Sequence, residues 1–281
     1  MQLGIVIGTH GTPAYVHLHL ENAKRLYPEK ILVVDDSSDK TKELEEICKQ
    51  YGADFYPNSG YSPCIDDLKI DICKFCRNTK KIINSNMCVD CGKHLLGDIK
   101  LTARGFRWAK NNNIDLMIKF SRRFLPLYDW RDELKRIAAS TGFPAYSSWE
   151  ESSRLGFKTE AVAYIVNEWI FSGAVDIMEK QDKIGLTESF IWLLCMKISQ
   201  MRNINREDKI AFGEHFQDIF PYWKMFENIQ TGYGHWFIAG TSRRQLLPWR
   251  FWHDTNPPKD YLKRIESFGI NEYTEQDFLV A

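Results

Sequence analysis

No sign of charge dominates this sequence: 37 Lys and Arg residues balance 37 Asp and Glu residues in a chain of 281, so the formal net charge is zero at pH 7. A chain-wide cationic surface for gripping nucleic acid is therefore excluded, while local basic patches are not. Long apolar runs are missing as well. None approaches the ~18 consecutive apolar residues of a membrane span, and the best stretches are broken by Lys, Glu or Asn. The opening MQLGIVIGTHG lacks a basic leader, a long apolar stretch and a small-residue cleavage site; it reads as a first strand, and a soluble cytoplasmic protein is the expectation. Neither GxGxxG nor GxxxxGK[ST] occurs in the first strand–helix turn, which excludes a Rossmann dinucleotide site and a Walker A phosphate cradle there. Repeats and low-complexity tracts are absent too. With 44% hydrophobic and 26% charged residues, the chain has the composition of a compact fold of one large or two small domains.

What is present alternates between two periodicities. Residues 3–8 form an apolar run that ends at Thr9-His10-Gly11-Thr12-Pro13, after which Val16, Leu20, Ala23 and Leu26 recur at helical spacing. Pro28 stops that helix before a second apolar run, Ile31-Leu32-Val33-Val34. Asp35-Asp36-Ser37-Ser38 then offers helix-capping side chains, residues 40–51 read as a helix and residues 53–56 as a third strand. Strands alternating with helices in this way imply a parallel sheet. From 58 to 96 the regularity stops, and Gly, Pro, Asn and the paired cysteines gather there. It resumes with a helix over 97–112 and a strand over 114–120. A helix over 129–140, a short strand over 145–148, a longer strand over 159–170 and a buried helix over 187–201 follow. The expected division is 1–60 with 97–281 as the main domain and 61–96 as an insertion. Beyond Met201 the pattern weakens, while Trp223, Trp236, Trp249 and Trp252 accumulate beside Arg243, Arg244, Arg250, His235 and His253. That tail reads either as a satellite hydrophobic cluster or as an aromatic cover over the sheet's functional edge, where flat rings suit a sugar.

The strongest local motif is C-x2-C-x11-C-x2-C, formed by Cys73, Cys76, Cys88 and Cys91. Two such pairs supply the four thiolates of a closed tetrahedral zinc site, which has no open position for a water and therefore holds structure together instead of catalysing. Seven cysteines, an odd number, fit a disulfide framework poorly. A thiol-redox pair is disfavoured on the reading that neither CxxC opens a helix. Lys74, Arg77, Lys80, Lys81 and Lys93 make the insert locally basic, which suits either a solvated loop or contact with a protein or nucleic acid.

In open parallel sheets ligands lie beyond the carboxyl ends of the strands. Here those ends carry Thr9-His10, Asp35-Asp36, Asn58 and Ser121-Arg122-Arg123. The elements GIVIGTHGTP, ILVVDDSSDKT and GDIKLTARGFRWAKNNNIDLMIKF resemble the glycosyltransferases of the GT-A fold, especially the inverting enzymes of family 2. The resemblance implies an α/β fold with a mostly parallel sheet flanked by helices, and a nucleotide-sugar donor, UDP-linked by preference. It also implies that Thr9 lies against the nucleotide and that the carboxylate of Asp36 accepts a base N–H, with His10, Asp35 and Arg104 nearby. An ionised carboxylate, being an acceptor only, suits that partner; helix capping is the alternative role of Asp35 and Asp36.

The chain departs from the family after its fourth strand. Where a metal-binding DxD is usual it has Phe120-Ser121-Arg122-Arg123. Arginines cannot ligate a cation, but they bond phosphate oxygens in pairs, so transfer without a catalytic divalent metal is expected, with Arg122 and Arg123 offsetting the leaving group's charge. The family's catalytic acidic pair has its nearest counterpart in Gly185-Leu186-Thr187-Glu188-Ser189. Glu188 is the candidate base towards a hydroxyl acceptor, and a first-turn helix residue is its other reading. Phe171-Ser172-Gly173-Ala174 is either an acceptor approach or a plain turn. A different class of function also fits the altered DxD position: a catalytically silent protein whose zinc insert recruits a protein or nucleic acid. Glycosylation of nucleic acid bases is a further variant.

Overall fold

In a computed structural model of the chain, the described residues are 1–26, 29–36, 40–57, 69–72, 79–83, 87–121, 125, 129, 131–141, 144–149, 157–181, 187–201 and 257–278. The expected βαβ start is present as β1 (Leu3–Thr9), α1 (Pro13–Leu26), β2 (Lys30–Asp35), α2 (Thr41–Tyr51) and β3 (Asp54–Pro57). Gly52 ends α2 in the left-handed region at φ 66°, and its N–H returns to the carbonyls of Cys48 and Lys49, a conformation for which glycine has no steric penalty. Next come β4 (Lys69–Ile72), β5 (Thr79–Ile83), β6 (Met87–Cys88), α3 (Val89–Asn111) and β7 (Leu116–Ser121). The chain continues with α4 (Arg131–Thr141), β8 (Ala145–Trp149), β9 (Phe157–Ile165), α5 (Val166–Phe171), α6 (Ala174–Lys180) and α7 (Thr187–Met201). Near the C-terminus lie α8 (Pro257–Glu266) and a 3-10 turn, Glu275–Phe278.

The main sheet has six strands in the order β3-β2-β1-β7-β9-β8. β3, β2, β1 and β7 run parallel, whereas β9 is antiparallel to both β7 and β8. The fold is therefore α/β with a mostly parallel sheet flanked by helices. Leu3, Ile5 and Ile7 of β1 point to one face, where they meet α1, α2 and α4 through Val16, Leu20, Leu44, Ile47 and Leu134. Val6, together with Leu32, Val34 and Met117, points to the other face, covered by α3, α5, α6 and α7. Each fully buried aliphatic side chain contributes roughly 1.5–3 kcal/mol, and burial on both faces explains why these strands read as continuous apolar runs.

Three features differ from expectation. The long strand stops at Ile165, and Val166–Phe171 turns helical; Trp169, buried, donates from Nε1 to the carbonyl of Pro144 at 2.8 Å, so tertiary packing overrides the strand propensity of Val166, Trp169, Ile170 and Phe171. Because β9 is antiparallel, with Ile165 opposite Leu116, the Phe171–Ala174 turn follows the edge where β7 begins. That edge is opposite the one where β1 and β7 end, so this turn is not an acceptor approach to it. The helix expected from Gly97 begins at Val89, so it runs through the boundary set between 96 and 97, and Cys88-Val89-Asp90-Cys91 straddles a helix start. Contrary to expectation, the second CxxC therefore does open a helix, as a thiol-redox pair would. Burial of Leu96, Ile99 and Leu101 holds the helix together through Gly92 and Gly97.

β4, β5 and β6 form a separate antiparallel sheet in that order. A third apolar cluster joins Ala14, Tyr15 and Leu18 of α1 to Tyr261, Ile265 and Phe278. Trp223, Trp236, Trp249, Trp252 and the basic residues beside them lie outside the described residues. Among those residues no helix is long and apolar enough to cross a membrane.

Candidate functional site

The strand register brings the expected residues to one edge. Thr9 stands opposite Asp35, Asp35 opposite Pro57, and Gly8 opposite Ser121, so the carboxyl ends of β1, β2, β3 and β7 are level. At this edge the Asp36 N–H donates to the Thr9 carbonyl at 3.1 Å, which ties the two turns together. Thr9 is buried, and its hydroxyl shares a 2.8 Å hydrogen bond with that of Thr12. The Asp35 carboxylate accepts the Gly11 N–H at 2.7 Å and so shapes the β1–α1 turn. Lys40 occupies the N-cap of α2 and makes no side-chain capping bond. The Asp36 carboxylate lies 2.6 Å from Nδ1 of His10, whose ring is largely exposed. A β-carbon placed on Gly97 would come within 2.6 Å of Oδ2 of Asp36. Glycine at that position of α3 is what lets the carboxylate lie against the helix.

Arg104, two turns along α3, sets its guanidinium 4.1 Å from the centre of the Tyr56 ring on β3. The stack holds a flat cation on the same face of the sheet as the Asp36 carboxylate. Together these groups can present an oriented acceptor, a planar face and a cation to a flat, polar ring. Tyr56, Gly97, Asp98 and Lys119 belong to the neighbourhood without having been singled out in the sequence. Of these only Lys119 carried a local signal, a charge in the middle of an apolar strand. Lys119 is 2% exposed and is bonded through Nζ to Asp98 of α3.

The remaining candidates fall elsewhere. Arg122 and Arg123 directly follow Ser121, but they lie outside the described residues, as do Cys73 and Cys76. Glu188 is the second residue of α7, a helix packed through Ile191, Leu194, Cys195 and Ile198; its side chain is not among those described. Cys88 ends β6 and Cys91 lies in the first turn of α3, again without described side chains. Among the described residues no cluster of His, Cys, Asp and Glu is placed to hold a metal ion.

No family model matches the sequence, and no curated protein matches it. Solved structures with a similar chain trace include a cytidylyltransferase from Leptospira borgpetersenii, at 11% identity and TM-score 0.38, covering 82% of this chain and 96% of that one. Another is the glycosyltransferase GlyE of Streptococcus pneumoniae, at 9% identity and TM-score 0.44, covering 98% of this chain and 61% of that one. TarS of S. aureus is similar at 10% identity and TM-score 0.40, with 94% of this chain covered and 49% of that chain. This chain therefore spans less than two thirds of the length of the latter two.

Proposed function

We propose that this chain is a glycosyltransferase that moves a sugar from a nucleoside-diphosphate donor to a hydroxyl acceptor, with inversion and without a catalytic divalent metal. The observation that carries the reading is the Asp36 corner: a carboxylate oriented by His10 and seated against Gly97 where parallel strands end, with the Arg104–Tyr56 stack on the same side. In this reading Asp36 accepts the N–H of a uracil-like ring, Thr9 lies against the nucleoside and Asp35 holds the turn. Arg122 and Arg123, following β7, bond the diphosphate oxygens and offset the charge that builds on the leaving group. Glu188 removes the acceptor's proton as its oxygen attacks the anomeric carbon and the bond to the diphosphate breaks.

A structural zinc held by Cys73, Cys76, Cys88 and Cys91 belongs to the same proposal. The donor set suits it, since Cys91 lies at a helix N-terminus, where a thiolate is favoured. The register also supports it: Ile83 pairs with Met87 and Ile82 with Cys88. The chain entering α3 thus heads back towards Thr79, the end of β5 that follows Cys76. In a closed four-thiolate site the metal cross-links a segment with little core of its own.

The test is calorimetric titration of a panel of nucleoside diphosphates into EDTA-treated protein, after metal analysis of the same sample. Tight binding of one diphosphate over its nucleoside without added Mg or Mn is the expected result. Absence of binding with and without those metals would sink the transferase reading in favour of a silent protein that recruits partners through the insert. Absence of zinc from protein purified without chelator would return the cysteines to thiol-redox chemistry.

A further inference from the structure

Lys119 is the one charged residue of β7 and sits between Val6 of β1 and Val162 of β9. Its ammonium is bonded to Asp98, and the two differ in accessibility: the lysine side chain is 2% exposed and the aspartate 21%. A buried ion pair seldom stabilises a fold more than a well-packed apolar pair of the same size, so its presence in the central strands calls for another reason.

Position supplies one. α3 runs down the sheet against the strand direction: β-carbons added at Gly8, Gly105 and Gly4 would strike Leu101, Val6 with Met117, and Ile114 with Trp108, respectively. Asp98 therefore lies at or beyond the level of Gly8, at the ligand edge, one residue after the glycine that seats Asp36. Lys119, level with Val6, must extend upwards along the strand to reach it. The exposed part of the pair is thus a carboxylate facing the edge, held from beneath by a buried cation. Ser121, two residues on and on the same face of β7, has a buried hydroxyl with no hydrogen-bond partner among the described residues.

We propose that Asp98, clamped by Lys119, is the hydroxyl-recognition point of this edge and takes vicinal hydroxyls of the donor, from its ribose or from the sugar being transferred. An ionised carboxylate offers about four acceptor sites and no donor. The ammonium occupies one of these, and the others fit O–H groups while rejecting phosphate oxygens. Lys119 is a positioning residue, since it fixes the carboxylate and touches no ligand itself. The inference rests on the nucleotide-sugar reading above.

The experiment compares UDP, 2′-deoxy-UDP and UDP-glucose by calorimetry on the wild-type chain, on Asp98→Asn and on Asp98→Asn with Lys119→Met. The double variant removes both charges and so keeps the test available if the single one leaves the ammonium stranded and misfolds. If Asp98 holds ribose, the wild type prefers UDP over 2′-deoxy-UDP by about tenfold and the variants lose that preference. If it holds the transferred sugar, the preference for UDP-glucose over UDP is lost instead. Wild-type binding with both preferences unchanged in a folded variant overturns this inference alone, and a wild type that binds none of the three overturns it together with the nucleotide-sugar reading.

Discussion

Asp36 is held on two sides, by His10 at 2.6 Å and by the bare α-carbon of Gly97, and this makes binding separable from stability. In Gly97→Ala the new methyl would fall 2.6 Å from Oδ2, and the atom in its way is the end of a side chain that can rotate. Removing glycine from a helix interior gains about 1 kcal/mol. The variant should therefore melt no lower than wild type while its UDP affinity drops, and equal affinities by calorimetry would dissociate Asp36 from the site. Asp36→Asn keeps the shape and loses the charge; at about 1.5–3 kcal/mol for a hydrogen bond to a charged group, UDP should bind about 10- to 100-fold more weakly, against little change for a purely structural turn residue. Thr9, His10, Asp35 and Asp36 are legible in the sequence because the pairs 9–10 and 35–36 end short apolar runs bounded by turn residues, which read as strands. Tyr56, Gly97 and Asp98 are not, since their meaning lies in the approach of β3, α3 and β7, which no local spacing encodes.

α3 joins the two halves of the proposal in one rod. Cys91 lies in its first turn, Gly97 meets Asp36 and Arg104 meets Tyr56, all within Val89–Asn111. Helix termini fray first and an added anchor restrains them, so a zinc bound through Cys88 and Cys91 would hold the end from which Gly97 and Asp98 are presented. Cys88→Ser combined with Cys91→Ser should lower bound zinc, speed amide exchange over residues 92–99 and weaken UDP binding several-fold, with the exchange pattern of β1 and β2 preserved. Unchanged affinity after zinc loss would mean that the insert and the edge are energetically separate. The start of this helix is not readable locally, because Gly92 and Gly97 look like stops and only the burial of Leu96, Ile99 and Leu101 overrules them. The same cause hides α5, which carries the β-favouring Val166, Trp169, Ile170 and Phe171 directly after β9.

Over the whole molecule, sequence ends meet: α8 and the turn at Glu275–Phe278 close on α1, where Tyr15 donates its hydroxyl to the Phe278 carbonyl at 2.9 Å. Arg264 reaches the Asn22 side chain at 3.1 Å. His17 lies in the same junction, 3.0 Å from the Tyr273 hydroxyl and 3.3 Å from Glu272. Burial lowers the pKa of His17 below its ordinary value of 6.5 and outweighs the opposing pull of Glu272 and Glu21. With the folded value depressed, the unfolded chain binds the proton more readily. The contribution is complete above about pH 6.5 and is lost as the pH falls from there through the folded pKa. A chain ending at residue 256 exposes Tyr15 and Leu18 and removes Tyr261, Ile265 and Phe278 from the core, at roughly 1.5–3 kcal/mol for each large side chain. It should unfold at lower denaturant concentration. It should also lose the part of the acid-side slope that His17 supplies, because the imidazole then faces water in both states. Denaturation curves of the full and shortened chains between pH 7.5 and pH 5 test both effects at once, and parallel pH profiles for the two chains would exclude His17 as the coupling group.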